Sequence, residues 1–553
     1  MQKTCLHCRQ SFQITDHDLS IIQKASPVIG EKMFDIPAPT LCPDCRFQRR
    51  ISFRNERKLY HRKCDLTGKQ IISVYAPDGP YKAYEQSAWW SDAYDPLQYG
   101  RDVDFNQPFF DQFVELNREV PKLAIQNAKS ENSEYTNYSA ENKNCYLLVG
   151  GLGAEDCLYS YRVFYSKDIV DCYDLIKCER CYECLESSNC FVCVSCHNCQ
   201  NCSDVWYSEN CTGCKNCFGC ANLRNKEYHI FNKKFSPEDY KKIVAGLQRK
   251  LPADAAKDIK NLHFSVPHRY AQILQCDDVS GDQLLECQRC FDCYTLKHSQ
   301  DCSHCIIAAG DHDCVDINFG DNCELQYESS NLEKNYRCAF CMLVWYSKDL
   351  FYCMNSFNSK NCFGCTGLKK QEFCILNKQY TEDEYNKLVP KIIDHMKKNK
   401  EYGQFFPATL SPFAYNETIA QEHFPITEKE AKKHGWPWRN EQPSAENYLG
   451  PTPDISVAID DIADDITKQV LTCSITGKPY RIIPQELKFY REMKLPIPST
   501  CPDQRHAERM ARLNPRKLWN RTCSNCKKEI RTTSSPERKE IVYCEDCYLK
   551  TVY

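Results

Sequence analysis

The middle of the chain carries a pattern of polar and apolar residues whose spacing is a multiple of three. An Asp or Asn is followed directly by Cys or Leu, and successive pairs lie mostly 9 or 12 residues apart. Asp and Asn tolerate the left-handed backbone of a tight corner, and the small apolar residue that follows can point inward. The pattern therefore predicts short strands joined by tight corners, in a parallel β-solenoid with roughly 20 residues per coil. The pairs begin at Asp156, Asp171, Asn189, Asn201, Asn210, Asp301, Asp313, Asn322, Asn331, Asp349 and Asn361.

This region is also duplicated at an offset of 145 residues, without a gap. Both copies end alike, with NCFGCANLRNKEYHIFNKKFSPEDY at 216–240 and NCFGCTGLKKQEFCILNKQYTEDEY at 361–385. Near these ends, Ser236 and Thr381 begin capping boxes that predict helices. The aligned cysteines are Cys145, Cys157, Cys178, Cys193, Cys196, Cys217 and Cys220 in the first copy, and Cys290, Cys302, Cys323, Cys338, Cys341, Cys362 and Cys365 in the second.

Helical apolar spacing occurs on both sides of the duplicated region. The stretch from Pro108 to Val120 has apolar residues at helical intervals, and we expect this helix to cap the solenoid that follows it. Further on, a capping box at Thr427 and a stop at Gly435 delimit a short helix. The GWPWRN sequence after it predicts either a strap over the solenoid or a peptide-like ligand.

The two ends of the chain carry a second duplication. CPDCRFQRRISFRNERKLYHRKC at 42–64 recurs as CPDQRHAERMARLNPRKLWNRTC at 501–523, and 11 of the 23 positions are identical. One module thus occupies both ends.

Each end module retains one complete set of four cysteines with zinc-site spacing. In the first module Cys5-x-x-Cys8 and Cys42-x-x-Cys45 form two knuckles, and a C-x-x-C turn places two thiolates on one Zn²⁺. In the second module the set is Cys523, Cys526, Cys544 and Cys547, placed around a strand-turn-strand pattern. Four protein thiolates leave no open position for water, so we expect two structural zinc ions per chain and no catalytic metal.

The other half of each module has lost ligands. In the second module Thr476 and Gln504 stand where a knuckle needs its second cysteine, beside Cys473 and Cys501. In the first module the positions equivalent to the second module's zinc set are occupied by Cys64, Thr67, Glu85 and Ala88. We infer an ancestral two-zinc module that duplicated and then decayed in complementary halves.

Basic residues recur at every fourth position between the two halves of the module. On a helix this spacing gives one slowly drifting face, and a row of arginines suits phosphate. The pattern predicts an RNA or DNA site, while a solvated face or pairing with carboxylates of the chain are equally favoured alternatives. The candidate residues are Arg46, Arg50, Arg54, Lys58, Arg62, Arg505, Arg509, Lys517 and Arg521.

The chain has 40 cysteines, 11 in the end modules and 29 between Cys145 and Cys374. In a reducing compartment such a density indicates metal ligands or buried thiols rather than disulfides. Runs such as Cys178-Cys181-Cys184 would also suit soft-metal or iron–sulfur ligation. Interior packing is favoured, because Leu332 and Leu350 stand at equivalent phases and leucine cannot ligate.

Charge and hydropathy narrow the setting of the protein. The formal net charge is −3, from 71 basic and 74 acidic residues, so any polyanion site must be local. No apolar run approaches the ~20 residues of a membrane helix, and MQKTCLHC lacks the apolar core of a signal peptide. We therefore expect a cytoplasmic protein without a membrane partner. The acidic stretch from Asp454 to Val470 is expected to neutralise the basic module beside it.

CPDCRFQRR, RNERKLYHRKCDLTGK, NCFGCANLR and GWPWR together resemble a family of uncharacterised cysteine-rich zinc-ribbon proteins of candidate-phylum bacteria. The resemblance covers nearly the whole length. Some members carry a CaiB/BaiF-type CoA-transferase label, which implies a catalytic Asp in a large α/β fold. The cysteine repeat predicts strands without alternating helices instead.

The sequence thus predicts a mainly β fold with small α parts, in which a duplicated solenoid is flanked by zinc-ribbon modules. We expect the two end modules to pack together as a pseudo-dimer that presents both arginine rows on one surface. The leading functional hypothesis is a non-catalytic zinc-binding scaffold with a nucleic-acid partner, and no small-molecule substrate is identified. The alternatives are a protein-binding solenoid with structural zinc, and a thiol or metal-dependent redox protein. The expected segments are a zinc-ribbon module at 1–90, a helical connector and cap at 91–130, the first solenoid copy at 131–240, a connector at 241–286, the second copy at 287–385, a helical and Pro/aromatic strap at 386–450, and the second zinc-ribbon module at 451–553.

Overall fold

The computed structural model describes residues 1–249, 251, 253–440, 453, 455 and 458–552. The fold is mainly β, with parallel sheets in the middle of the chain and helices near the ends. Among the described residues, no helix is both long enough and apolar enough to cross a bilayer. The helices are α1 (Asp16–Lys24), α2 (Pro43–Ile51), α3 (Gln86–Trp90), α4 (Phe109–Glu119), α5 (Pro237–Arg249), α6 (Ala253–Ser265), α7 (Glu382–Lys398), α8 (Ala420–His423), α9 (Glu428–Lys433), α10 (Pro484–Met493), α11 (Pro502–Arg512) and α12 (Glu545–Val552).

The end modules are built from short antiparallel hairpins followed by helices. The strands of the first module are Gln2–Thr4, Ser11–Gln13, Val28–Ile29, Lys32–Met33, Tyr60–Lys63, Gln70–Ser73 and Ala83–Tyr84, the last of which pairs with Lys122–Leu123. The strands of the second module are Leu471–Thr472, Pro479–Tyr480, Trp519–Thr522, Glu529–Thr532 and Ile541–Tyr543, the last of which pairs with Pro267–Arg269.

Parallel ladders with a constant register make up the first copy. Glu155 pairs with Lys167 and Lys167 pairs with Glu179, so successive partners are 12 residues apart. The coil length of roughly 20 residues predicted from the sequence is therefore wrong. The strands are Asn127–Ala128, Ser139–Ala140, Glu155–Leu158, Tyr161–Phe164, Lys167–Val170, Tyr173–Ile176, Glu179–Tyr182, Leu185–Ser188, Phe191–Val194, Ser203–Trp206, Lys215–Phe218, Glu227–Ile230 and Lys233–Lys234.

The second copy repeats the 12-residue register in a sheet of 15 strands. Two of its strands extend over ten residues each, and they carry carboxylates that the first end module uses for docking. The strands are Ile273–Leu274, Gly281–Leu285, Gln288–Phe291, Cys293–Lys297, Gln300–Ser303, Ile306–Ala309, His312–Asp321, Glu324–Glu333, Tyr336–Ala339, Met342–Trp345, Lys348–Phe351, Met354–Phe357, Lys360–Phe363, Cys374–Ile375 and Lys378–Gln379.

Left-handed residues occur at every third position of both copies. From Asp156 to Phe231, and again from Gln283 to Leu376, each third residue has a positive φ. Every corner predicted at an Asp or Asn is among them, so that part of the prediction is confirmed. Bulky residues such as Tyr159 also adopt this conformation, which costs roughly 1–2 kcal/mol each and persists where neighbouring strands fix the backbone.

The cysteines that follow these corners point into the copies. In the first copy, Cys181, Cys193 and Cys217 share one register line with Val205, and all four are fully buried. Their thiols donate to backbone carbonyls two residues before and nine residues after them, as Cys184 does to Tyr182 and Cys193 at 3.4 and 3.3 Å. The interior cysteines thus pack as small, weakly donating side chains, as the packing interpretation requires.

Helices cover the exposed ends of the parallel ladders. The predicted helix over 108–120 forms as α4, but Phe109 packs against Phe363 at 5.5 Å, at the far end of the second copy. The expectation that it caps the first copy is therefore wrong, because the chain crosses back to the other end. Both predicted capping boxes form at Thr381 and Thr427.

The GWPWRN segment acts as a strap against the first module and the second copy. Trp436 stacks on Tyr415 at 4.9 Å and on His7 at 5.8 Å, next to the first cysteine knuckle. Residues 441–450 and Asp454 lie outside the described residues. From the predicted acidic stretch, Asp464 pairs with Arg491 at 2.5 Å within the second module.

Candidate metal centres and module docking

The first cysteine set converges on one point between a hairpin and the N-terminus of α2. Cys5 and Cys8 lie in the turn after the first strand, while Cys42 caps α2 and Cys45 lies in its first turn. The four Sγ atoms all lie within 4.8 Å of one another, and Cys8 and Cys42 are 3.6 Å apart. Four thiolates about 2.3 Å from Zn²⁺ would be about 3.8 Å apart, so this set fits the ion.

Electrostatics at this set favour thiolates. The Cys45 thiol donates to Cys42 Sγ and lowers the pKa of Cys42 to about 5. The amide ends of α2 also point toward these sulfurs, because a helix N-terminus favours negative charge. When bound, a zinc ion would link the hairpin to α2.

The second set has the same construction. Cys523, Cys526, Cys544 and Cys547 also lie within 4.8 Å of one another, with Cys526 and Cys544 3.6 Å apart. Burial opposes ionisation of Cys523, but surrounding backbone amides lower its pKa to about 6. Within the described parts of the chain, these two sets are the groups of His, Cys, Asp or Glu close enough to hold a metal.

All four knuckles keep one backbone turn, whether or not their cysteines survive. In each, the first residue's N–H donates to a carbonyl five positions later, as Cys5 does to Gln10 and Cys473 does to Lys478, both at 2.9 Å. The fifth residue has a positive φ in every case, at Arg9, Gly68, Gly477 and Lys527. The shared turn supports the inference of one ancestral two-site module.

Hydrogen bonds replace the metal in the two decayed halves. In the first module the amides of Thr67 and Glu85 donate to Cys64 Sγ at 3.4 and 3.3 Å. In the second, Thr476 Oγ1 lies 3.8 Å from Cys501 Sγ. The hydroxyl therefore occupies the position from which a cysteine would ligate.

Restoring both missing cysteines should recreate a third metal site. We expect the variant Thr476→Cys with Gln504→Cys to bind one additional zinc ion, because the turn and the helix N-terminus are already formed. Metal content by mass spectrometry checks this, with Thr476→Ser and Gln504→Ser as the control pair. A double-cysteine variant with unchanged zinc content would contradict the decayed-site interpretation.

The arginine rows do not lie on the surface. α2 ends at Ile51 and α11 ends at Arg512, so neither row continues as a helical face. Of the nine candidate residues, six are buried and only Lys517 is exposed. The prediction of an open arginine row is wrong, because the alternative of pairing with carboxylates wins. The buried residues are Arg46, Arg50, Arg54, Arg62, Arg505 and Arg509.

The first module docks on the second copy through one buried carboxylate. Arg46 Nε lies 2.5 Å from Asp316 Oδ2, and Arg50 Nη2 lies 3.5 Å from Asp316 Oδ1. Arg50 also donates from Nε to Asn318 at 2.8 Å. Burial alone would raise the pKa of Asp316, but the two guanidinium groups hold it below its usual value.

The second module docks on the first copy in the same way. Arg505 Nε lies 2.9 Å from Asp171 Oδ2, and Arg509 Nη1 lies 2.6 Å from Asp171 Oδ1. Asp171 and Asp316 occupy equivalent positions of the two copies, at the offset of 145 residues. The two modules are therefore crossed, and each contacts the copy that is farther from it in sequence.

The remaining arginines of the predicted rows fasten other junctions. Arg54 lies between the rings of Tyr138 and Phe319, 4.0 and 3.7 Å from their centroids, and so bridges the two copies. Arg62 and its equivalent Arg521 donate to backbone carbonyls of their own modules. These contacts stabilise the module interior and leave no free guanidinium row.

The two modules also meet each other, as expected, although the arginine rows do not share a surface. Arg57 Nη2 of the first module lies 3.1 Å from Asp503 Oδ1 of the second. Around this contact lies a cavity of 1320 Å³ lined by both modules, both copies and α8. Sequence reasoning missed Asp171, Asp316 and this cavity, although the offset of 145 residues marks the two carboxylates as equivalent.

Comparison of the chain with models of known protein families and with curated proteins finds no match to either.

Proposed function

We propose that the protein is a non-catalytic scaffold in which two zinc-bound modules clamp a duplicated β-solenoid. The carrying observation is the crossed docking, in which equivalent arginine pairs of the two modules hold equivalent buried aspartates of the two copies. Such a repeated buried network rigidifies an assembly and fixes its arrangement.

Two further features support the scaffold. The 12-residue parallel register, with a left-handed residue at every third position, supports a solenoid whose coil has four short sides. The two four-cysteine sets support zinc as the metal, since soft thiolates in a tetrahedral set suit Zn²⁺.

The alternative functions have weaker support. A thiol redox role needs an exposed thiolate of low pKa, whereas the cysteines of the copies are buried apart from the half-buried Cys276. A nucleic-acid site on the arginine rows would need those guanidinium groups to be open. The purely structural role of zinc in a protein-binding solenoid is compatible with the clamp and differs from it only in the partner.

Hydrogen–deuterium exchange on variants that lack one zinc site tests the clamp. We expect Cys8→Ser to raise exchange in α2 and in 312–333 of the second copy, because the metal fixes the start of α2. The variant Cys526→Ser should raise exchange in α11 and in 155–182 of the first copy instead.

The crossed pattern distinguishes a clamp from independent modules. A matched control is Cys64→Ser, which alters a knuckle that already lacks its full ligand set. If each variant raised exchange only within its own module, with both copies unaffected, the clamp would be excluded.

A further inference from the structure

The cavity between the two modules is walled by charged and aromatic side chains from five parts of the fold. α6 and the first copy form one side, α8 and the second copy another, and the segment after α11 closes it. Its 1320 Å³ exceeds the roughly 300–1,000 Å³ of common small-ligand sites. The cavity therefore has room for a ligand of more than one ring.

An equivalent dipeptide from each module reaches this cavity. Arg57 and Lys58 of the first module correspond to Arg516 and Lys517 of the second, at the same offset that relates the two basic segments. All four residues line the cavity. The pseudo-symmetry of the modules thus concentrates positive charge at one place, although the arginine rows themselves are used for docking.

Arg516 differs from its equivalent in having neutral partners. Arg57 pairs with Asp503 at 3.1 Å and lies 4.0 Å from Glu422. Arg516 instead contacts His423 Nε2 at 3.3 Å and Tyr173 Oη at 3.5 Å, and among the described residues it has no carboxylate within ion-pair distance. Burial and the neighbouring Arg516 lower the pKa of His423 to about 3, so the imidazole stays neutral.

The acidic groups on the opposite wall are already matched by histidines. Glu186 lies 3.0 Å from His197, and Glu209 lies 3.3 Å from His263 and 3.8 Å from both His197 and His268. These carboxylates are therefore compensated without Arg516. The guanidinium of Arg516 and the exposed ammonium of Lys517 are left facing the cavity.

Aromatic rings line the side of the cavity next to α8. Phe47 and Phe424 lie 5.6 Å apart and pack in one cluster with Tyr294. Flat rings beside uncompensated cations suit a ligand that joins an aromatic base to a phosphate, since bases stack on aromatic side chains and Arg binds phosphate through paired donors.

We propose that this cavity binds the phosphate ester of a nucleoside, with Arg516 and Lys517 contacting the phosphate and the aromatic wall contacting the base. A free nucleotide and a segment of single-stranded RNA share this chemistry. The inference does not depend on the scaffold proposal, because the cavity residues are neither metal ligands nor docking arginines.

Isothermal titration of the zinc-loaded, full-length protein tests the site. The probes are adenosine monophosphate, adenosine, inorganic phosphate and a single-stranded RNA tetranucleotide. We expect the monophosphate and the tetranucleotide to bind, with tighter binding of the tetranucleotide identifying RNA as the source. Binding should weaken steeply as salt rises.

Variants of the basic pair decide the residue assignment. Arg516→Gln should weaken binding by about tenfold or more, since a charge-assisted contact is lost, and Arg516→Lys should retain most of it. Arg531→Gln, in the same module but outside the cavity lining, is the matched control and should change affinity less than about twofold. Zinc content and the unfolding midpoint verify folding, and Lys517→Gln, at an exposed side chain, provides a second variant.

Several outcomes would overturn the assignment. Absence of binding by all four probes at millimolar concentration would exclude the site. Equal binding of adenosine and its monophosphate would exclude the phosphate contact, and equal binding of inorganic phosphate and the monophosphate would exclude the base contact. Unchanged affinity in both Arg516→Gln and Lys517→Gln would place any binding elsewhere.

Discussion

Replacing Asp171 or Asp316 by Asn is expected to lower the free energy of unfolding by about 3–5 kcal/mol in each case. Each carboxylate is fully buried and is shared by two buried arginines of the module docked on it. Removal of the charge leaves two guanidinium groups in a dry interface with no compensating anion. Both positions have a positive φ, which Asn tolerates, so the substitution isolates the charge from the backbone.

Urea denaturation of the purified variants measures this effect. Asp313→Asn is the matched control, because Asp313 also lies at a corner but pairs with the half-exposed Lys24 at 2.8 Å. We expect that control to cost less than about 1 kcal/mol. Equal small effects at all three positions would show that the docking carboxylates do not hold the modules.

Removing the metal is expected to have the largest effect on stability. Structural zinc contributes an apparent ~10–16 kcal/mol in small zinc-finger peptides, and ligation forms part of their folding free energy. Each proposed zinc site here joins a hairpin to a helix N-terminus, so its loss should release the module from its copy. We expect a chelator to lower the thermal unfolding midpoint sharply and to separate unfolding of the modules from unfolding of the copies.

Thermal unfolding followed by circular dichroism, with and without chelator, provides the measurement. Cys193→Val is the matched control, since Val205 occupies the same interior line one coil later and a similar volume is tolerated. This variant should keep its metal and lose less than about 1.5 kcal/mol. A midpoint that the chelator leaves unchanged would mean that the cysteine sets do not stabilise the fold through a metal.

Local chemistry was predictable from the sequence because it is encoded within a few residues. A C-x-x-C turn holds its two sulfurs together wherever it occurs, and Cys5 and Cys8 needed only the second knuckle to complete the set. The left-handed corners at Asp156 and Asn189 follow from the conformational preferences of single residues. Both features survive whatever the rest of the chain does.

The docking could not be predicted because its partners are far apart in sequence. Arg46 and Asp316 are separated by 270 residues, and the basic spacing by itself does not distinguish a phosphate from a carboxylate of the chain. The coil length was wrong for a related reason. A corner at every third residue allows many multiples of three, and only the pairing of Glu155 with Lys167 selects 12.

The pseudo-symmetry connects these levels of structure. Two duplications, one of the module and one of the repeat, place equivalent arginines opposite equivalent aspartates in a crossed arrangement. The same symmetry brings the Arg-Lys pairs of both modules to one cavity. Complementary loss of zinc ligands leaves each module with one complete set, which suffices because the decayed halves are held by hydrogen bonds to Cys64 and Cys501.

The zinc content of the purified wild-type chain tests the central claim most directly. The account predicts two zinc ions per chain by mass spectrometry, with no iron and no visible absorption from an iron–sulfur cluster. A chain that folds with no zinc, or one that holds clearly more than two metal ions, would contradict it.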